Sequence, residues 1–321
     1  MISTHSEVVC MLSLLKTVWE RWMDFPLQEG QIIDQGRYRI DRYIGMGSYG
    51  LAYLATDLMT LAPCLVKQSR PSKKEKGTEL LGREAEFLKQ LDHGRIPRMQ
   101  AIFTEGKHRY LVMSYIEGLN IEQLLFDHDK SFSQAEAILF IRELGELIHA
   151  VHQASMVHLD VRIPNVLIKD GELFLIDFGL ARRYVPEERD RALCERLERK
   201  GSPSFRDLRK EPQSLYREDS SFKREMRAPL YSSDWFAVGH MLLFLLYSDY
   251  HEEEQQEERP WEEELALQPK VAELLRLLLA RESEEDAMYM QAIEQACEEL
   301  GIGELTFKQA MENAIIVAPC L

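Results

Sequence analysis

Apolar positions recur along this chain with two different rhythms. Residues 38–68 are rich in Tyr, Ile, Leu and Val with glycines between, a composition that predicts three antiparallel strands. A lysine-rich stretch containing Pro71 follows. The next segment has the spacing of a helix with an inner face of Leu80/Leu81, Glu84, Leu88 and Leu91. Residues 101–115 read as two more strands. From Ser133 onward helices dominate: 133–154 is long and periodic, and 231–250 is apolar around most of its circumference, as a buried helix must be. Between these two, 159–178 holds short strands around 166–168 and 173–176. Residues 182–229 are charged and weakly periodic, which predicts a long surface segment. The acidic run 252–264 predicts a solvated loop and a helix start. A small strand-rich part thus precedes a larger helical one, an α+β architecture in two lobes with no internal repeat.

Near the start, Met11, Leu15, Val18, Trp19, Trp22 and Met23 form an apolar stripe at helical spacing. It lacks the basic leader and cleavage site of a signal peptide. Lys16 and Arg21 are offset by Glu20 and Asp24, so packing on the protein itself is expected ahead of contact with a membrane surface. Met11 offers an alternative start. No apolar run approaches the ~20 residues needed to cross a bilayer.

Charge narrows the partners. With a net charge of -15 over 321 residues, the chain is a poor match for a phosphate backbone, and no nucleic-acid partner is expected. The five cysteines (Cys10, Cys64, Cys194, Cys297 and Cys320) form neither a CxxC nor a Cys/His cluster. Free thiols in a reducing cytoplasm are the expectation.

The candidate chemistry begins at Gly45-Met46-Gly47-Ser48-Tyr49-Gly50. A GxGxxG run is weak by itself, because dinucleotide-binding folds place it between a strand and a helix. Here strand-like sequence continues through Leu51-Ala52-Tyr53-Leu54, which argues for a hairpin. Glycines in such a turn let backbone N–H groups close over phosphates. Lys67 ends the strand Cys64-Leu65-Val66-Lys67, from where an ammonium could reach phosphates, and Glu84 on the next helix could hold it. Taken singly, each has a plain structural reading, a solvated edge lysine and a surface carboxylate. Downstream, His158-Leu159-Asp160-Val161-Arg162-Ile163-Pro164-Asn165 is HxDxxxxN, and Asp177-Phe178-Gly179 follows a short hairpin.

This ordered set resembles the eukaryotic-like (Hanks-type) protein kinase superfamily across roughly residues 35–300. The resemblance implies ATP and Mg²⁺ as cofactors and an unidentified protein as substrate. It divides the chain into an extension (1–34), an N-lobe (35–114) and a C-lobe (115–321), with an activation segment over about 177–209. Carried over residue by residue, Lys67 and Glu84 would anchor phosphate, and Asp160 would take or orient the proton of the attacking hydroxyl. Arg162 would stand for the catalytic-loop lysine, while Asn165 and Asp177 would hold Mg²⁺. Gly45, Gly47, Gly50, Ala52, Leu65 and Leu167 would surround the nucleotide. Met113 would be the gatekeeper, with Ser114, Tyr115 and Ile116 offering backbone groups to adenine. Asp234 would pin the catalytic loop, and Leu88, Met99, His158 and Phe178 would form an internal apolar stack. Phosphoryl transfer is mostly positioning and charge neutralisation, and these residue types supply both.

Several positions depart from the pattern. The arginine usual in HRD is Leu159, which predicts activity independent of activation-loop phosphorylation. Ala52 and Leu65 replace the usual valine and alanine, one shrinking as the other grows. The stretch Gly201-Ser202-Pro203-Ser204-Phe205-Arg206-Asp207-Leu208-Arg209 fits the family's GTPxYxAPE, with Arg209 for its glutamate. Asp286 aligns with that glutamate's usual arginine partner, so a charge-swapped Arg209–Asp286 bridge is expected. Extra arginine-rich sequence around 210–229 could bind acidic partners, although a solvated loop explains it as well. Ser202 and Arg162 fit a serine/threonine specificity, and the small size is similar to short soluble kinases of bacteria. A small-molecule phosphotransferase and a non-catalytic scaffold are the rivals; filled positions at Lys67, Glu84, Asp160, Asn165 and Asp177 argue against the second.

Overall fold

In a computed structural model, which describes residues 24–47, 50–185, 227–250, 259–281 and 283–317, the chain separates into two compact units. The apolar stripe and alternative start before Asp24, the arginine-rich region and the 201–209 stretch, including Arg209, lie outside the described residues, as does most of the acidic run. Among the described residues no helix is long and apolar enough to cross a membrane.

The first unit comprises residues up to Asp92 together with Pro97–Tyr115. Its strands are β1 (Ile32–Ile33), β2 (Tyr38–Met46), β3 (Gly50–Asp57), β4 (Pro63–Ser69), β5 (Met99–Glu105) and β6 (His108–Ser114). They form one antiparallel sheet ordered β1-β2-β3-β4-β6-β5. Side chains alternate across a strand, and the burial pattern follows. Tyr38, Ile40, Leu51, Tyr53, Ala55, Cys64, Val66, Tyr110 and Val112 form a single apolar core on one face. The opposite face carries Ala52, Leu65 and Lys67, with Leu111 and Met113 buried beside them. Helix α1 (Lys74–Gln90) packs on β4, β5 and β6, burying Leu81, Glu84, Ala85 and Leu88. That is the inner face the sequence predicts, with Leu80 only half-buried.

The second unit comprises His93–Ile96 and residues from Ile116 onward. It begins with β7 (Leu119–Asn120), α2 (Ile121–Phe126) and α3 (Gln134–Gln153). Ser133 and Glu136 form a reciprocal capping box at the start of α3, satisfying N–H groups that have no partner within the helix. This places the helix where its periodicity predicts. Next come β8 (Met156–Val157), the hairpin β9 (Val166–Lys169) and β10 (Glu172–Leu175), and β11 (Arg182–Arg183). Helix α4 (Tyr231–Tyr247) is buried along almost its whole length, as its apolar circumference requires, and stops at Tyr247 rather than at residue 250. Around it lie α5 (Trp261–Glu264), α6 (Pro269–Ala280), α7 (Asp286–Glu299) and α8 (Phe307–Val317). Close approach of α6 to α4 depends on Gly239, where a Cβ would come within 2.8 Å of Leu278 Cβ.

Candidate active site

The first unit supplies the elements expected to meet a nucleotide. The strand β2 runs to Met46 and β3 starts at Gly50, so the glycine run is the turn of a β-hairpin rather than a strand-to-helix turn. Gly47 N donates to Gly50 O at 2.8 Å. At Gly50 a Cβ would lie 3.3 Å from Gln68 O, so a side chain there would crowd the neighbouring strand. Lys67 Nζ donates to Glu84 Oε1 at 2.6 Å, with the two side chains 16% and 3% exposed. Helical spacing produces this contact: Glu84 sits three residues after Leu81 and four before Leu88, on the face that packs on the sheet. Register pairs Ala52 with Lys67, and Leu65 with both Leu54 and Met113. Ala52 and Leu65 are therefore diagonal neighbours on one face, where one side chain can grow as the other shrinks. Gly45 pairs with Ala52 across the hairpin.

After the buried Met113, Ser114 spends its N–H on Arg98 O at 2.9 Å, and its Oγ accepts from Arg98 N. The Ser114 N–H is therefore already engaged. Tyr115 and Ile116 follow, both half-buried.

Sequence reasoning missed Asp24 and Arg70. Arg70 Nε donates to Asp24 Oδ2 at 2.7 Å, and Arg70 Nη1 donates to the carbonyl of Gly47 at 3.1 Å. Asp24 also accepts from Ser72 N and Oγ. Burial pushes the Asp24 carboxyl up, but these bonds and the guanidinium outweigh it and hold it below its ordinary range. The segment before the sheet is thus tied both to the glycine turn and to the entry of α1. Neither residue belongs to a short motif, so only proximity in the fold reveals the link.

In the second unit the HxDxxxxN segment is held from below by Asp234 on α4. Asp234 Oδ2 accepts from His158 N at 2.7 Å and Oδ1 from Leu159 N at 2.8 Å, the backbone contact expected of it. Leu159 is buried in the left-handed region at φ 62, a conformation costing a non-glycine residue roughly 1–2 kcal/mol, so these two bonds hold a strained turn. His158 Nδ1 accepts from Asp160 N at 3.2 Å, which makes Nε2 the protonated nitrogen, donating to Ile176 O at 3.1 Å. Its ring meets that of Phe178 edge-on at 4.6 Å, the contact expected between these two residues.

Asn165 Nδ2 donates to both the carbonyl and Oδ2 of Asp160, each at 2.9 Å. Arg162 Nε lies 3.3 Å from the same Oδ2, an ion pair by distance without hydrogen-bond alignment. Burial raises the Asp160 carboxyl above its ordinary range; Arg162 opposes this, while Asp177 adds to it. Asp177 adopts a left-handed backbone at φ 65, its carboxylate accepting from Gly179 N, and the preceding residue Ile176 donates its N–H to Asn165 O at 2.9 Å. Leu167 is half-buried on β9, paired with Phe174 and Asn120. Asp160, Arg162 and Asn165 are therefore in mutual contact, with Asp177 linked to them through the backbone.

The donor chemistry suits a hard divalent cation. With its amino group turned to Asp160, Asn165 has its Oδ1 available, and Asp177 adds a carboxylate. Mg²⁺ takes few protein oxygens and completes its shell with phosphate and water. Among the described residues no group of three or more His, Cys, Asp or Glu gathers.

Asp286 begins α7, and its carboxylate accepts from His149 Nδ1, His152 Nδ1 and Trp235 Nε1, each at 2.7 Å. The bridge to Arg209 lies outside the described residues.

The profile described as "Protein kinase domain" matches residues 38–305. The chain is similar to the probable serine/threonine-protein kinase YbdM of Bacillus subtilis, 36% identical over 272 residues, 84% of this chain and 92% of that protein. It is also similar to serine/threonine-protein kinase B of Synechocystis, 27% identical over 266 residues, 76% of this chain and 43% of that protein. Myosin light chain kinase 2 of Bos taurus is 30% identical over 169 residues, 51% of this chain and 26% of that protein.

Proposed function

Because the chain belongs to the protein kinase family, we propose that it acts as a serine/threonine protein kinase through Asp160, Arg162, Asn165, Asp177, Lys67 and Glu84. The observation that carries this assignment is the pair of hydrogen bonds that Asn165 Nδ2 donates to the carbonyl and Oδ2 of Asp160. It fixes the carboxylate against its own backbone, so that one rotamer is held ready for the incoming hydroxyl. In transfer the serine or threonine oxygen forms its bond to the γ-phosphorus as the bond to the ADP oxygen breaks, and the hydroxyl proton passes to Asp160. Arg162 offsets the negative charge beside it. Asn165 Oδ1 and the Asp177 carboxylate would hold Mg²⁺, which when bound supplies charge neutralisation to the phosphates. Lys67, oriented by Glu84, would contact the α and β phosphates, and the glycine turn, with Ala52, Leu65 and Leu167, would enclose the nucleotide. Met113, Ser114, Tyr115 and Ile116 would receive the adenine. Domain limits of 35–114 and 115–321 are part of the same reading, as is action in the cytoplasm on a protein substrate.

Purified protein incubated with Mg-ATP labelled at the γ-phosphate tests the assignment. Label is expected on serine or threonine of the kinase itself or of a generic protein, and none with Asp160→Asn. Equal labelling by wild type and Asp160→Asn would refute the role of Asp160. Binding of ATP without any protein labelling would favour a small-molecule acceptor instead.

A further inference from the structure

Below the catalytic segment, His152 of α3 is enclosed between two carboxylates. Its Nδ1 lies 2.7 Å from Asp286 Oδ1 and its Nε2 lies 3.1 Å from Asp234 Oδ2, with the imidazole almost completely buried. A neutral imidazole has one N–H, so it can satisfy one of these oxygens and turns a lone pair on the other. Only the imidazolium donates to both.

We propose that His152 and Asp286 are positioning residues for phosphoryl transfer, and that they hold Asp234 in place only while His152 carries its second proton. The proposal rests on the reading of Asp160 as the residue that takes the substrate proton. Asp234 Oδ2 is shared between His152 Nε2 and the backbone N–H of His158, while its Oδ1 takes Leu159 N. Turning a lone pair toward that oxygen pushes the carboxylate away from two N–H groups of a turn already in a left-handed conformation. Asp160 is the next residue. Loss of the proton on His152 is thus transmitted to the catalytic carboxylate through one side chain and one peptide bond.

The surroundings of His152 agree. From α4 it faces Asp234, Trp235 and Tyr231, whose ring stacks on it at 4.2 Å. From α7 it faces Asp286, and on its own helix His149 donates to the other Asp286 oxygen. Glu284, just before α7, accepts from Tyr231 N and Ser232 N. Tyr184, beyond Asp177-Phe178-Gly179, stacks on Tyr231 at 4.1 Å. Burial pushes the imidazole toward the neutral form, but the bonds and charges of Asp234 and Asp286 exceed that effect and raise it above its ordinary value. Asp286 is held low for the reciprocal reason, burial being outweighed by its bonds to His152, Trp235 and His149.

Asp286→Asn removes one of the two charges while keeping the volume and a hydrogen-bonding amide. The test is the pH profile of kcat for wild type and variant, with the titration of ¹⁵N-labelled histidine followed by NMR and the His152 signal assigned through His152→Gln. The variant is expected to lose activity on the alkaline side about one pH unit or more below wild type. Its His152 signal should shift downward with it, while KM for ATP stays within about twofold. Superimposable kcat profiles, or a His152 signal that titrates at the same pH in both proteins, would overturn the proposal. A lowered Tm with an unchanged profile would do so as well, since it would mark a purely structural contact. Asp160→Asn run in parallel separates the two readings: an active Asp160→Asn sinks the assignment of the base, whereas an inactive Asp160→Asn beside an unaltered Asp286→Asn sinks this anchor alone.

Discussion

The Lys67–Glu84 contact permits charge and reach to be separated experimentally. Glu84→Gln keeps the length of the side chain and an oxygen to accept from Lys67 Nζ, 2.6 Å away, but removes the charge. The Lys67 ammonium can still donate to the amide oxygen, so what Glu84→Gln loses is the whole charge–charge attraction, and a buried charge left without its partner costs about 3–5 kcal/mol. Glu84→Asp keeps the charge and shortens the side chain by one carbon–carbon bond, opening the contact to about 4 Å if the backbone stays in place. At an effective dielectric constant of about 20 the Coulomb attraction falls from roughly 6 to roughly 4 kcal/mol, and the hydrogen bond is lost in addition. The full-length residue without the charge should therefore be the more damaging, by about 3–5 kcal/mol against about 2–3. Burial decides this: with Glu84 only 3% exposed, little water reaches the contact to screen the charge that Glu84→Gln leaves on Lys67. The assay is ATP affinity by titration calorimetry together with kcat/KM, with Tm measured to confirm folding. A loss of roughly 150-fold or more is expected for Glu84→Gln and roughly 30- to 100-fold for Glu84→Asp. If the order is reversed, or if both stay within twofold of wild type, Lys67 is not held for phosphate by this pair.

Arg70→Lys retains a charge but cannot reproduce the two directions in which the guanidinium donates, to Asp24 and to Gly47 O. KM for ATP should rise several-fold with kcat changed less; an unchanged KM would detach this pair from the glycine turn. Gly239→Ala should cost about 1–3 kcal/mol, measured by urea unfolding, because its Cβ meets Leu278 Cβ at 2.8 Å. Gly145→Ala should cost less, since its nearest neighbours, the tips of Met290 and Ile293 at 3.1 and 3.3 Å and the Trp235 ring edge at 3.3 Å, all lie farther off than the 2.8 Å contact at Gly239; equal losses would contradict that distinction. His240 is buried and, through burial and then Arg281, its pKa falls to about 3. A depressed histidine costs stability as pH drops below its unfolded value of 6.5, so His240→Leu should be about 2 kcal/mol less acid-sensitive between pH 7 and 5. Identical slopes in the two proteins would refute this. A chelator should abolish turnover and Mg²⁺ restore it, with metal binding much tighter when ATP is present, because the proposed ligands Asn165 and Asp177 would supply few protein oxygens; retained turnover in excess chelator would remove them as metal ligands.

Much of this molecule is legible in the chain because its chemistry is local in sequence. The glycine turn, HxDxxxxN and Asp177-Phe178-Gly179 are short segments whose residue types and spacings survive any arrangement of the rest. The strand pattern of the first unit and the limits of α3 follow from period and capping, which act within a few residues. What required the tertiary structure is every partnership between distant polar groups. Sequence alignment sets Asp286 opposite a family arginine and so suggests a basic partner in the activation segment. The fold places it at the start of α7, facing α3 and α4, where two histidines and an indole N–H donate to its oxygens, partners that no alignment position announces. Asp24 and Arg70 are 46 positions apart and carry no motif, yet both are buried against each other. A carboxylate is identifiable from its letter. Which cation desolvates with it depends on how helices and strands pack, because burial and distance set the strength of an ion pair and neither is encoded near the residue itself.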